Sequence, residues 1–325
     1  MIDVHAHVVL AGTLGGAGRY GPEILGEADG GPAFRTGAYT FTGVRYEGSA
    51  FLDVDVRLAA MDEAGIAYQV LSPNPLTYFH HIEANIAESF CRRHNDLLAE
   101  LVSGHPDRLG GLAALPMQDP GRAVKELERA VCDLDLLGAA IGTSFGRPLD
   151  DPALDPLYAA AVHLDVPLFV HPGFDCVDAP HPDPRLDRFD LELVVGFAAE
   201  ETLAVATVIY GGVLDRHPQL DLCFSHGGGA APFLFGRMRR AAQVRPWASP
   251  DLAAPGGFEA RLGRLWFDCH VHDPRSLALL IDVVGDGRLV AGTNFAGWDQ
   301  GRPPDDPDLR GRLAANARRL LRLAP

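Results

Sequence analysis

The chain has 325 residues, 47% of them apolar, and its 28 basic against 43 acidic residues give a net charge of −15. That length suits one large α/β domain whose core needs no covalent staples. The charge repels nucleic acid and anionic membrane surfaces at long range, so neither is expected as a partner. Five cysteines, Cys91, Cys132, Cys176, Cys223 and Cys269, show no C-x-x-C spacing and are odd in number, which argues against a disulfide framework and for a reducing compartment. No basic-then-apolar leader precedes His5, and no apolar run reaches the roughly 18 residues of a membrane span, so a soluble cytoplasmic protein is expected.

The first seven residues, Met1 to His7, form an apolar run that ends in two histidines one residue apart. Residues two apart on a strand project to the same side, so His5 and His7 point together and make half of a tetrahedral metal site. A Gly-rich stretch from Gly12 to Gly48 follows, in which Tyr39 to Tyr46 alternates weakly, as a hairpin or edge strand does. An insertion over about residues 10–50 is expected there, covering one mouth of the fold. From Asp53 the pattern turns repetitive. A helix runs to Gly65 and feeds an apolar strand from Ile66 to Leu71. Helix Glu83 to Val102, strand Leu109 to Leu115, and helix Pro120 to Leu137 with Gly138 at its end come next. Strand Ala139 to Thr143, helix Pro152 to Leu164 and strand Pro167 to His171 continue the alternation. Helix Leu191 to Gly211, strand Leu220 to Ser225 and helix Ala230 to Ala242 repeat it. Strand Leu265 to Cys269, helix Pro274 to Val284, strand Arg288 to Gly292 and helix Asp308 to Leu323 complete it. Eight strands and eight helices result, with strands too uniformly apolar for a sheet that faces water. A single α/β domain over 1–325, a (β/α)8 TIM barrel with a small insertion after its first strand, is the economical architecture.

Active sites of such barrels lie where the strands end. His5 and His7 end strand one, His171 strand five and His226 strand six, while Asn294 follows strand eight. Four histidines from three strands thus converge on one face, which points to a metal centre. His270 and His272 follow strand seven and offer two extra imidazole ligands, but His272 reads more simply as a residue that caps or packs, and the bland reading outweighs a pocket role for His270 as well. Gly227, Gly228 and Gly229 lack the G-K-[ST] ending of a phosphate loop.

The segments His5-Ala-His7, Phe169-Val-His171-Pro, Cys223-Phe-Ser-His226-Gly-Gly-Gly229 and Leu289-Val-Ala-Gly-Thr-Asn294 resemble the signature segments of the amidohydrolase superfamily. The chain resembles most closely the branch of aminocarboxymuconate-semialdehyde and γ-resorcylate decarboxylases. The resemblance implies a metal-dependent, non-oxidative decarboxylase of a small unsaturated or aromatic carboxylic acid, an anionic substrate. It implies His5, His7 and His171 as ligands of Zn2+, or of another divalent metal such as Mn2+, and His226 as the catalytic acid/base. It also implies Arg45, Arg237 and Arg245 as the arginines that hold the substrate carboxylate, the last two reaching across a homodimer interface. Arginine suits that task because its planar fork donates two parallel hydrogen bonds. For Arg237 and Arg245, which stand near Arg239 and Arg240, a solvated helix face is the competing reading, and for Arg45 a plain surface position.

The sequence departs from the family's pattern at two places. The family's Gly-Thr-Asp reads Gly292-Thr-Asn294 here, so the fourth metal and catalytic position holds an amide, which ligates through oxygen but brings no charge and cannot act as a base. Asp299, five residues on, is a carboxylate that could be lent to the site. The family's His-Pro-Trp-Asp becomes His171-Pro-Gly-Phe-Asp175. Two other readings therefore stand beside the decarboxylase: a hydrolase of an amide, lactone or ester, which has no need of the arginines, and a barrel repurposed for binding or metal-free acid/base chemistry.

Overall fold

The computed structural model describes residues 1–28, 31–173 and 183–324, so Phe174, Asp175 and Cys176 lie outside the described residues. The chain opens with β1 (Ile2–Val8), whose seven side chains are all buried. Next come β2 (Glu23–Ala28), β3 (Gly31–Thr36) and β4 (Tyr39–Thr42), an antiparallel sheet between β1 and the first long helix. The remaining strands are β5 (Tyr68–Pro73), β6 (Leu109–Gly111), β7 (Ala113–Ala114), β8 (Ala139–Ile141), β9 (Leu168–Val170), β10 (Leu222–Phe224), β11 (Trp266–Asp268) and β12 (Leu289–Val290). Around them lie α1 (Val54–Ala64), α2 (Ala84–Ser103), α3 (Pro120–Cys132), α4 (Asp155–His163), α5 (Phe197–Tyr210), α6 (Val213–Arg216), α7 (Ala231–Val244), α8 (Pro250–Ala253), α9 (Gly257–Leu262), α10 (Pro274–Val284) and α11 (Pro307–Leu321).

These strands pair in parallel in chain order: β1 with β5, β5 with β6, and β7 through β12 in succession. The third barrel strand is split at Leu112, whose N–H donates back to Leu71 O (2.8 Å) while Ala113 N–H donates forward to Gly138 O (2.9 Å). The ring closes where Val4 N–H donates to Ala291 O (2.9 Å) and Phe295 N–H to His5 O (3.1 Å). The fold is the (β/α)8 barrel that the alternation predicts.

Helix starts follow from local chemistry. Asp119, Asp273 and Asp306 each precede a proline and accept a backbone N–H of the first turn of α3, α10 and α11. The carboxylate satisfies a free donor while proline at the first helical position lacks one and has its φ already set. α3 stops at Cys132 rather than Leu137, because the chain turns through Asp135 in the left-handed region (φ 54) and Leu137 N–H already bonds Gly111 O (2.9 Å). The short helices α8 and α9, and the pairing of β2 with β3, carry no sequence periodicity that would have announced them. Among the described residues one helical segment, Glu192–Tyr210, is long and apolar enough by length and composition to cross a membrane. Glu200 and Glu201 interrupt its apolar run, and Ala204, Val205, Val208 and Ile209 bury one face in the barrel core.

One buried polar chain ties the barrel's closure together. Arg57, on α1 and 1% exposed, donates to Gln69 Oε1 and to His7 O, both at 2.6 Å. Gln69 Nε2 donates to Asp3 Oδ2 (2.9 Å), which also accepts from Thr293 Oγ1 (2.7 Å), while Asp3 Oδ1 accepts from Thr293 N–H (3.0 Å). Strand one, strand two and the end of strand eight are thereby held in one register. Arg57→Met strands two buried acceptors, Gln69 Oε1 and the His7 carbonyl, at roughly 1–3 kcal/mol each. Its urea midpoint should fall by an amount equivalent to about 3 kcal/mol, and an unchanged midpoint would contradict this role.

Candidate active site

His5, His7 and His171 are buried at the ends of β1 and β9, with ring centroids 5.1, 4.9 and 4.8 Å apart, and each ring is tethered from behind through Nδ1. His5 Nδ1 lies 2.6 Å from Asp268 Oδ2, and His171 Nδ1 lies 2.6 Å from the carbonyl oxygen of Pro172. His7 Nδ1 lies 3.0 Å from Ser72 Oγ, whose own proton is donated to Ala6 O (3.1 Å). A carboxylate, a carbonyl and a hydroxyl already donating elsewhere can only accept here, so each Nδ1 carries the ring proton and each Nε2 a lone pair. The two lone-pair atoms His5 Nε2 and His7 Nε2 then face each other at 3.3 Å, where no hydrogen bond can form between them. His171 Nε2 is likewise buried without a partner. Burial, and after it the neighbouring imidazoles, keeps all three rings neutral, with His7 pulled down to about 3 and the other two far below the ordinary value. Three converging, unprotonated Nε2 atoms within 4.8 Å of one another fit a divalent cation, and the rear carboxylate, hydroxyl and carbonyl are the partners that fix such ligands.

His226 stands beside this cluster, 4.9 Å from His5 and 5.0 Å from His171 by ring centroid. It keeps 18% of its side chain open and stands in the left-handed region (φ 46), followed by Gly227, Gly228 and Gly229, all with positive φ. The last glycine is obligatory, since a Cβ there would lie 2.1 Å from Ala198 O. His226 Nδ1 bonds Glu201 Oε1 (2.8 Å), a buried carboxylate on α5 that also accepts from Ser225 Oγ. Burial opposes charge on this ring, but Glu201 first, then Asp268 and Asp299, outweigh it and push His226 up to about 9. One imidazole of the four is thus tuned to hold a proton, with its Nε2 on the cavity side.

Asn294 also has a left-handed backbone (φ 49) and is 6% exposed; its Oδ1 is buried without a partner. Its Nδ2 donates to Asp299 Oδ1, and Asp299 Oδ2 lies 3.1 Å from both His270 Nε2 and His272 Nε2. Burial raises the Asp299 carboxyl, but His270, His272 and His226 together hold it well below the usual carboxylate range. Sequence reasoning had no signal for Glu201 or Asp268, which sit inside apolar stretches on α5 and β11.

These groups floor a cavity of about 400 Å3, whose walls include Phe41, Phe51, Leu76, Phe197 and Trp298. His7, His171, His226, His270, His272, Asn294 and Asp299 all reach it. The predicted arginines do not line it within one subunit. Arg45 is exposed between the lining residues Val44 and Tyr46, Arg237 is exposed on α7, and Arg245 is exposed at the end of that helix. No described lining residue is Arg or Lys.

Comparison with known proteins identifies related chains. The amidohydrolase family model matches residues 2–323. The chain is 34% identical over 247 residues to 2-amino-3-carboxymuconate-6-semialdehyde decarboxylase of Dictyostelium discoideum, taking in 75% of this chain and 66% of that enzyme, just under two thirds. The crystal structure of 2,6-dihydroxybenzoate decarboxylase from Rhizobium superposes with a TM-score of 0.72 at 29% identity, covering 84% of this chain and 90% of that one. The 5-carboxyvanillate decarboxylase of Novosphingobium aromaticivorans, solved as a mutant with bound manganese and a nitrobenzoic acid, gives 0.74 at 25% identity over 84% of this chain and 82% of that one. With the family's pattern running from the first strand to the last helix, the chain belongs to the amidohydrolase family.

Proposed function

We propose that this chain is a metal-dependent, non-oxidative decarboxylase of a small aromatic or unsaturated carboxylic acid, working as one barrel unit over residues 1–325. The observation that carries it is the convergence of three Nε2 lone pairs with a proton-holding imidazole alongside, in an aromatic-walled cavity of about 400 Å3. The names of the relatives, decarboxylases of dihydroxybenzoate, carboxyvanillate and aminocarboxymuconate semialdehyde, support the reading. His5, His7 and His171 through Nε2, and Asn294 through Oδ1, would hold Zn2+ or Mn2+. Three imidazoles suit zinc, and manganese is bound in the Novosphingobium relative. Such a cation, when bound, supplies Lewis-acid charge for the acid's oxygen atoms.

The chain's own residues do the rest. Glu201 fixes Nδ1 of His226, so that the ring presents a proton on Nε2 to the cavity. Delivered to the carbon that bears the carboxylate, that proton forms a C–H bond. The bond to the carboxyl carbon then breaks, its electron pair returns to the ring or double bond, and carbon dioxide leaves. His226 regains a proton from solvent, so neither oxygen nor an electron acceptor is consumed. The aromatic walls exclude water and lie against the flat substrate.

The substrate carboxylate meets no arginine or lysine among the described lining residues, so the reading includes a homodimer in which Arg237 or Arg245 of the partner subunit completes the pocket, with Arg45 near its mouth. Exposed apolar side chains on the segment before and along α5 (Val194, Val195, Leu203) and Phe233 on α7 support an interface on that side. We further expect a cytoplasmic location, in keeping with four free cysteines among the described residues.

Metal analysis tests the centre first: purified protein should hold zinc or manganese that a chelator removes, and His5→Ala or His171→Ala should hold none. Equal metal content in native and variant proteins would move the centre elsewhere. His226→Asn should keep the metal yet lose roughly 10²–10⁴ in kcat, and turnover of the native enzyme in deuterated water under nitrogen should leave deuterium on the carbon that lost its carboxylate. A requirement for oxygen would rule the chemistry out. For the dimer, Arg237→Ala and His226→Asn, each inactive alone, should regain part of their activity when co-assembled, because one of the two shared sites then has both residues. A mixture that stays inactive would return Arg237 to the solvated face.

A further inference from the structure

A divalent cation among three neutral imidazoles and an amide would sit in a buried place with no anion in direct contact, an arrangement that costs free energy unless charge is supplied nearby. One such charge reaches it through His5, whose Nδ1 is bonded to Asp268. A second carboxylate, Asp299, reaches the other side through Asn294. A carboxylate can only accept, so the end of the Asn294 amide that faces Asp299 must be the NH2 end, and the oxygen end must face away from it. That oxygen is the buried Oδ1 that has no partner. Were the amide reversed, it would offer the cation a donor that cannot ligate. Asp299 itself is fixed from its other oxygen by His270 and His272, both at 3.1 Å, so it cannot swing away without breaking two further bonds. The loop between them folds back on itself, with Gly297 N–H donating to Asn294 O (2.7 Å).

We propose that Asp299 is a positioning residue of the cation centre: by accepting from Asn294 Nδ2 it turns the amide oxygen into the fourth ligand, and it supplies, one residue removed, the negative charge that the amide lacks. This rests on the reading of the imidazole cluster as a cation site. The design also makes positions 294 and 299 interdependent, because a carboxylate introduced at 294 would confront the one already at 299.

The test is Mn2+ affinity of the purified apoprotein, followed by the electron spin resonance of the free ion, without reference to turnover. Asp299→Ala should weaken binding by roughly 10–100-fold, the scale of a lost partner behind a ligand. Asn294→Asp should tighten binding more in the Asp299→Ala background than in the native one, a coupling that a merely structural loop bond would not produce. If Asp299→Ala fails to fold, the isosteric Asp299→Asn, which removes the charge and turns one of the two acceptors into a donor, should still weaken binding and still enlarge the gain from Asn294→Asp. Native-like affinity in the Asp299 variants, or an equal gain from Asn294→Asp in both backgrounds, overturns the inference while leaving the cation centre standing. A native protein that binds neither Mn2+ nor Zn2+ overturns both.

Discussion

The active face depends on one buried carboxylate. Asp268, at the end of β11 and fully buried, accepts from His5 Nδ1 (2.6 Å) with one oxygen and from the backbone N–H groups of Gly227 (3.2 Å) and His270 (3.0 Å) with the other. A single side chain therefore sets the tautomer of a candidate ligand, pins the glycine turn behind His226, and holds the backbone at His270. Burial raises its carboxyl, and the neighbouring His226 and the two backbone donors work against that rise. Both oxygens of this buried group are occupied, which offsets the cost of taking it out of water.

His5, His7, His171 and His226 crowd within one face, yet they divide into two kinds by what stands behind them. His7 and His171 are backed by a neutral hydroxyl and a neutral carbonyl, and His5 by a carboxylate whose other oxygen is shared with the backbone. His226 is backed by Glu201, whose second oxygen, Oε2, is buried with no partner at all. A carboxylate left half-satisfied gains most from a charged neighbour, so the proton settles on His226, and one cation among the rings makes a second there unfavourable. The separation of ligand from acid is a property of the surroundings, since the side chains are chemically identical.

Much of this was legible in the sequence. The His5-Ala-His7 spacing on an apolar strand, and the recurrence of Asp-Pro pairs where helices begin, follow from short-range geometry that a strand or first helical turn imposes wherever it occurs. His171 and His226 could be placed because each ends a recognisable apolar run. The partners behind them could not. Glu201 looks like one of two adjacent acids on a largely apolar helix, and Asp268 like the end of a strand; what ties them to the candidate site is a contact across the barrel with residues 25 and 263 positions away. The same limit hid β2 and β3, whose pairing of Ile24 with Phe34 and Leu25 with Ala33 is decided by packing over the mouth rather than by local pattern. Asp299 was within reach of sequence reasoning as a nearby carboxylate, but its hold on Asn294 required the turn at Gly297 to be seen.

The small antiparallel sheet of β2, β3 and β4 meets the cavity only through walls: Phe41 from the sheet itself, then Val44 and Tyr46 just after it, reach the cavity, while the candidate ligands and their rear partners come from the barrel proper. Part of the cavity wall and the candidate ligands thus lie in separate stretches of chain. A change in that sheet would reshape the mouth of the cavity and leave the candidate ligands where they stand. The tethers behind the rings allow no such exchange, because each fixes which nitrogen of its ring carries the proton.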